Sequence, residues 1–212
     1  MRARKCQGRS RQPRPACRMR TTTLAWTFCL FGREVGRFRN SLIVSDLRID
    51  MQNTSILHPH QLLTADTVRV GLPGRTKDDV INALLDVVAT HPAVIDPEGM
   101  RRAVFEREQM MSTGVGKSLG LPHAKTAAVT ETIAAFAITA DPVDFGAIDD
   151  QKVRLVFLLV GTEAAKSEHI KILSRISRLL NRDAFRERLL QARDADEVLA
   201  LLEEGELQLA TR

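Results

Sequence analysis

The chain has 212 residues, 44% of them apolar, which is enough for one domain with a sizeable core and an appendage. No apolar run approaches the roughly 20 residues of a membrane helix, so membrane insertion is not expected. The net charge of +5 is unevenly placed: residues 1–50 hold 12 Lys/Arg against 3 Asp/Glu, and residues 51–212 hold 19 against 23. The basic balance thus belongs to the N-terminal segment, and the mildly acidic remainder argues against a nucleic-acid-binding body.

Residues 1–50 read as a basic, disordered extension. The apolar run Thr23–Phe31 after basic residues has the outline of a signal peptide, but no small-residue cleavage site follows it. The preferred reading is an over-long start or a dispensable tail, with the protein proper beginning near Met51. Residues 51–61 are then a lead-in and 62–212 the domain. Cys6, Cys17 and Cys29 all lie in the extension, so no disulfide framework holds the domain, which fits a reducing cytoplasm.

From Leu62 the pattern is regular. Thr76 with Asp79 three residues on is a capping-box variant, and Val80, Ile81, Leu84, Leu85 and Val88 recur at helical spacing until Pro92. Asp96 and Pro97 start a second helix whose buried side is expected to hold Met100, Val104 and Met111. Residues 130–142 read as a strand ending at Asp-Pro. Residues 153–162 read as the clearest strand, an unalternating apolar run expected at the centre of the sheet. An amphipathic helix follows, with Ile170, Leu173, Ile176, Leu179 and Leu180 on one side, and then two short helices, the second capped by Asp194 and Glu197. This order predicts an α/β fold of three layers: a mixed sheet of about five strands with helices on both faces.

The stretch Ser112–Thr126, "STGVGKSLGLPHAKT", contains Gly116-Lys117-Ser118, the end of a nucleotide-binding loop. That loop would need a glycine at position 111, which is Met111, a strand before it and a helix after it. Residues before it are helical by pattern, and Pro122 would break a following helix. The candidate chemistry is instead in two histidines. His123 follows a proline on a glycine-rich loop suited to close docking, although a lone loop histidine is ordinarily a surface residue. His169 sits in the first turn of a helix beyond the central strand. There the helix dipole attracts phosphate and disfavours an imidazolium. His58, His60 and His91 match no motif. The His58–His60 pair reads as surface, with no third or fourth metal ligand in evidence.

Three motifs in order, "RE" at Arg107-Glu108, "STGVGKSLGLPHAKT" and "SEHIKILSRIS", make residues 62–205 resemble the enzyme IIA domains of the phosphoenolpyruvate-dependent phosphotransferase system, in the fructose/mannitol and nitrogen-regulatory class. The gaps, 16 residues from Arg107 to His123 and 46 from His123 to His169, agree with that family. The resemblance implies that His123 is phosphorylated by HPr or a nitrogen-branch relative. It implies that His169 hydrogen-bonds the phosphoryl group and that Arg107 offsets its charge, with Thr113 and Gly114 as weaker supports. It implies no metal or other cofactor, since the donor is a phosphohistidine, and a cytoplasmic protein. The phosphoryl group would pass to a sugar-specific IIB domain. Alternatively, phosphorylation would control binding to target proteins without sugar transport; a chain that carries only the IIA unit tilts toward this regulatory reading or toward a standalone carrier. The family often has Gly-Asn-Gly where this chain has Gly116-Lys117-Ser118, so Ser118 sacrifices backbone freedom there.

Overall fold

Val153–Gly161 is the strand on which the structure, a computed structural model, is built. The structure describes residues 58–210. In chain order the elements are β1 (Val68–Leu72), α1 (Lys77–Val88), α2 (Pro97–Met110), β2 (Gly114–Gly116), β3 (Leu119–Gly120), β4 (His123–Lys125), β5 (Ile133–Val143), β6 (Val153–Gly161), α3 (Lys166–Leu180), α4 (Asp183–Leu190) and α5 (Ala195–Ala210). Along β6, Leu155, Phe157 and Leu159 enter one core and Val156, Leu158 and Val160 the other. Successive strand residues face opposite sides, so burial on both faces demands the unbroken apolar run seen in the sequence.

The sheet order is β1-β5-β6-β3-β2, with β4 also pairing β6. β5 runs antiparallel to β6, whereas β3 and β4 run parallel to it and β1 runs parallel to β5. One core is closed by α3, α4 and α5, the other by α1 and α2. The expected three-layer α/β architecture with a mixed sheet is therefore the observed one. Expectations for residues 1–57 lie outside the described residues.

Local chemistry sets the helix starts. The Thr76 hydroxyl accepts from Asp79 N–H at 3.1 Å, and Asp79 accepts from Thr76 N–H at 2.9 Å. The Thr76 N–H, and after it the Arg75 N–H, hold the Asp79 carboxyl below its usual range. Asp96 accepts from Gly99 N–H at 2.9 Å with Pro97 in the first turn.

Four expectations need correction. Met111 lies just past the end of α2 with extended backbone and is 69% exposed, so it is not a core residue. β5 continues through Asp141-Pro142 to Val143. Its register with β6 breaks between Ile138 and Val143, where a proline without an N–H is tolerated. The buried stripe of α3 is His169, Ile172, Ile176, Leu179 and Leu180, with Ile170 exposed. Ile176, Leu179 and Leu180 lie in it as expected and Leu173 packs beside it; only Ile170 does not, because a hydrophobicity pattern discounts the histidine next to it. Finally, α5 is not short: it runs through Gly205 to Ala210. Gly205 is not a terminator here; a Cβ on it would lie 2.6 Å from Leu179 and 2.7 Å from Phe185, so its bareness lets α5 press against the neighbouring helices.

Candidate functional site

Gly116-Lys117-Ser118 turns the chain between the antiparallel strands β2 and β3. Its φ angles are 88°, 53° and 61°. Positive φ at both Lys117 and Ser118 marks the two-residue hairpin turn that matches strand twist. The Asp149 carboxylate accepts from Lys117 N–H at 2.7 Å. No helix follows Ser118, so the phosphate-loop geometry is absent here.

β3 and β4 are consecutive pieces of one edge beside β6, interrupted at Leu121-Pro122. Leu119 pairs with Leu155, and His123 pairs with Leu159 near the carboxyl end of β6. Leu159 N–H donates to Pro122 O at 3.0 Å, which bridges the interruption. His123 is thus the first residue of a short strand rather than part of a loop. Its half-buried ring is fixed by a 2.7 Å contact between Nδ1 and Leu121 O. A carbonyl only accepts, so Nδ1 carries the proton and Nε2 keeps its lone pair.

His169 lies in the first turn of α3, with its N–H bonded to Ala165 O at 2.9 Å. Its ring stands 5.8 Å from that of His123, centroid to centroid. The residue is 2% exposed, and neither ring nitrogen has a hydrogen-bond partner among the described residues. A Cβ on Gly161 would lie 2.7 Å from His169 Nδ1, so the last residue of β6 must be glycine for the imidazole to sit there.

Burial disfavours the charged form of both rings. Burial pushes the His169 imidazolium down to about 4, helped by the neighbouring His123 and Lys125. Burial also lowers His123; the Leu121 carbonyl opposes this, and Arg107 adds to it ahead of Lys125. Arg107, in the last turn of α2, donates from Nη1 to Met111 O at 2.9 Å. The sequence motifs therefore converge: His123 and His169 face each other, and the Arg107 charge acts on His123.

Thr113 and Gly114 sit differently from the expected phosphate supports. The Thr113 hydroxyl donates to the Glu108 carboxylate at 2.6 Å, and its N–H donates to the same oxygen at 3.1 Å. Gly114 packs against Ala147 and Phe145, where a Cβ would come within 3.1 Å. Thr113 O accepts from Leu121 N–H at 2.9 Å, and Leu121 O in turn holds His123. Glu108, only 4% exposed and paired with Lys77 Nζ at 3.1 Å, therefore supports, through Thr113 and Leu121, the carbonyl that holds the His123 ring. Sequence reasoning assigned Glu108, Lys77 and Gly161 no part. The only available signal was Glu108 beside Arg107, since Lys77 reads as an exposed helix residue.

Comparisons with known proteins identify the family and the fold. The family described as "Phosphoenolpyruvate-dependent sugar phosphotransferase system, EIIA 2" matches residues 61–205. The chain is 36% identical over 156 residues to the "PTS system fructose-specific EIIA component" of Haloferax volcanii, covering 74% of this chain and 98% of that protein. It is 34% identical over 142 residues to the "PTS system fructose-specific EIIABC component" of Bacillus subtilis, spanning 67% of this chain but only 22% of that longer protein. Among solved structures, nitrogen regulatory protein IIA-Ntr from Neisseria meningitidis superimposes with a TM-score of 0.64 at 27% identity, covering 68% of this chain and 97% of that one. Enzyme IIA of the mannitol system from Escherichia coli, solved in complex with phosphorylated enzyme IIB, superimposes with a TM-score of 0.59 at 28% identity, covering 67% and 97%. The chain belongs to the EIIA type 2 family of the phosphoenolpyruvate-dependent sugar phosphotransferase system, whose domains are phosphotransfer components.

Proposed function

We propose that His123 Nε2 accepts a phosphoryl group from the phosphohistidine of an HPr-like carrier and hands it to a IIB domain. The donor N–P bond breaks as a P–Nε2 bond forms, and the donor imidazole leaves. The carrying observation is the pairing of His123, with Nδ1 committed to Leu121 O, and a buried neutral His169 whose ring nitrogens lack partners. A nucleophilic imidazole must be neutral, and lowering of the His123 pKa supplies that. As Nε2 bonds phosphorus, positive charge develops on the ring, and Leu121 O accepts the Nδ1 proton's hydrogen bond throughout. His169 offers one N–H to an equatorial phosphoryl oxygen. A buried donor without a partner costs about 1–3 kcal/mol, and the phosphoryl group would remove that cost.

Arg107 retains free N–H groups beyond the one bound to Met111 O, and with Lys125 it meets the anionic charge. This reading needs no metal, because side chains supply the charge compensation. It places the protein in the cytoplasm with its protein partners; no helix among the described residues is long and apolar enough to cross a membrane. A second reading has the same chemistry and a different recipient. In it the phosphorylation state of His123 controls binding to a regulatory target, as the likeness to a nitrogen regulatory protein favours.

Incubation with phosphoenolpyruvate, enzyme I and an HPr-like carrier should give acid-labile phosphate on the protein, which a cognate IIB domain then removes. Label that no cognate IIB removes favours regulation, and absence of label overturns both readings.

A further inference from the structure

Outside the His123 pocket, the described residues gather another set of metal-ligating side chains: His58, His60 and Glu206. The two histidines flank Pro59 at the start of a 3-10 turn, Pro59–Leu62, and Glu206 comes from α5. Sequence spacing offers only the two histidines; the third ligand arrives because α5 continues past Gly205. Glu206 is 5% exposed, and the three ligand groups lie within 4.8 Å of one another.

The polar contacts in this cluster conflict. Glu206 Oε1 accepts from His60 N–H at 2.9 Å, while Oε2 faces His58 Nδ1 at 2.6 Å and His60 Nδ1 at 3.2 Å. Despite that proximity, His60 Nδ1 is buried and makes no hydrogen bond. His58 Nδ1 also lies 3.0 Å from Arg175 Nη1. A guanidinium only donates, so it asks for a lone pair at His58 Nδ1. The carboxylate asks for a proton there. One ring nitrogen cannot satisfy both.

We propose that His58 Nδ1, His60 Nδ1 and the Glu206 carboxylate form a three-ligand site for a divalent transition metal of the Zn²⁺ type, with water completing the shell. A cation among them uses all three groups as lone-pair donors and gives the buried His60 nitrogen a partner. Two imidazoles and one carboxylate suit Zn²⁺, Co²⁺ or Ni²⁺ and not Mg²⁺ or Ca²⁺, which take oxygen ligands. Ligand atoms around such an ion sit about 3.3 Å apart, given metal–ligand bonds of about 2.0–2.1 Å, so His58 must draw back from Glu206 on binding. Its ring is 35% exposed and has room to do so. Arg175, half-buried on a long side chain, turns outward because like charges repel. The metal ties the lead-in turn to α5 and has no part in phosphotransfer.

The test uses the full chain, stripped with a chelator and titrated with Zn²⁺ by calorimetry and with Co²⁺ by absorption. One equivalent should bind with visible d–d bands and no near-ultraviolet thiolate band, which separates this site from Cys6, Cys17 and Cys29. Zn²⁺ should raise the unfolding temperature and leave His123 labelling unchanged. His60→Ala should weaken binding by about 100-fold or more, since even outer-shell changes cost 10–100-fold. Arg175→Gln should tighten it several-fold by removing the competing charge. His60→Ala is the primary variant because loss of buried Glu206 endangers α5. Absence of binding, binding unchanged in a His58→Ala/His60→Ala double variant, or Arg175→Gln failing to tighten it overturns the proposal. Each of those results makes the cluster an ion-paired cap on Glu206 and nothing more.

Discussion

The middle of Ser112–Thr126 and its histidine end carry opposite kinds of strain. At Gly116-Lys117-Ser118 the backbone is forced: three successive residues have positive φ, two of them bearing a Cβ, at a hairpin tip where only Lys117 is exposed. Left-handed backbone costs such residues about 1–2 kcal/mol each. At His123 the backbone is ordinary strand, and the burden is electrostatic: two imidazoles are held neutral by burial, one with no hydrogen-bond partner on its ring. Strain at the first sets the shape of a turn. Strain at the second would be relieved by the phosphoryl group proposed for it. The comparison separates a turn that only looks like a phosphate loop from the histidine pair proposed to hold a phosphoryl group.

The sharpest way to break that distinction is His169→Ala. It should slow phosphorylation of His123 by about 100-fold, the scale of losing one preorganised donor, while unfolding stays cooperative. Loss of cooperative unfolding would make His169 a core residue only. Gly161→Ala should act in the same direction by about 10-fold, because its methyl would drive the imidazole from its place. A crystal structure of that variant with His169 unmoved would contradict the packing argument.

Glu108→Gln tests the anchor behind His123. Thr113 would keep a weaker acceptor and Lys77 would lose its countercharge. We expect labelling to slow several-fold and stability to fall by about 1–3 kcal/mol, as for a weakened buried polar contact. Full activity in this variant would detach Thr113 and Leu121 from catalysis.

The neutral pair also predicts a pH dependence. His169 protonates at about 4 when folded and near 6.5 when unfolded, and His123 shifts in the same direction. The unfolded chain therefore binds more protons through this interval. Stability from these groups is complete above about 6.5 and is lost as pH falls toward 4. Urea midpoints at pH 7 and pH 5 should differ less in His169→Ala than in the unaltered protein. The smallest expected effect belongs to the hairpin turn in the middle of the stretch. Ser118→Gly should stabilise the fold by about 1 kcal/mol and leave labelling alone. A loss of labelling there would tie the hairpin turn to the chemistry after all.

Much of this was legible in the sequence, for physical reasons. The unalternating run in β6 can only be a strand covered on both faces, and Thr76, Asp79, Asp96 and Pro97 are stereochemical stop-and-start signals. His123, His169 and Arg107 were legible through motif spacing. The misplaced Ile170 of α3 and the early end given to α5 share one cause: tertiary contact overrode a local signal. His169 is polar yet sits in the buried stripe, and Gly205 is a helix breaker in solution yet a close-approach site against Leu179 and Phe185. Thr113 was legible as important and not as to how, because its partner Glu108 is known only once α2 packs against the site. Glu206, likewise, meets His58 and His60 only through the fold.

The central claim is that one nitrogen, His123 Nε2, carries the phosphoryl group. Phosphorylate the ¹⁵N-labelled protein with ordinary phosphoenolpyruvate, enzyme I and an HPr-like carrier, and locate the phosphate by ¹⁵N–³¹P coupling in the intact protein. The account predicts one acid-labile phosphate on His123 Nε2 and none on His123→Ala. A His123→Ala protein that labels as well as the unaltered chain, or phosphate bound at Nδ1, would contradict it.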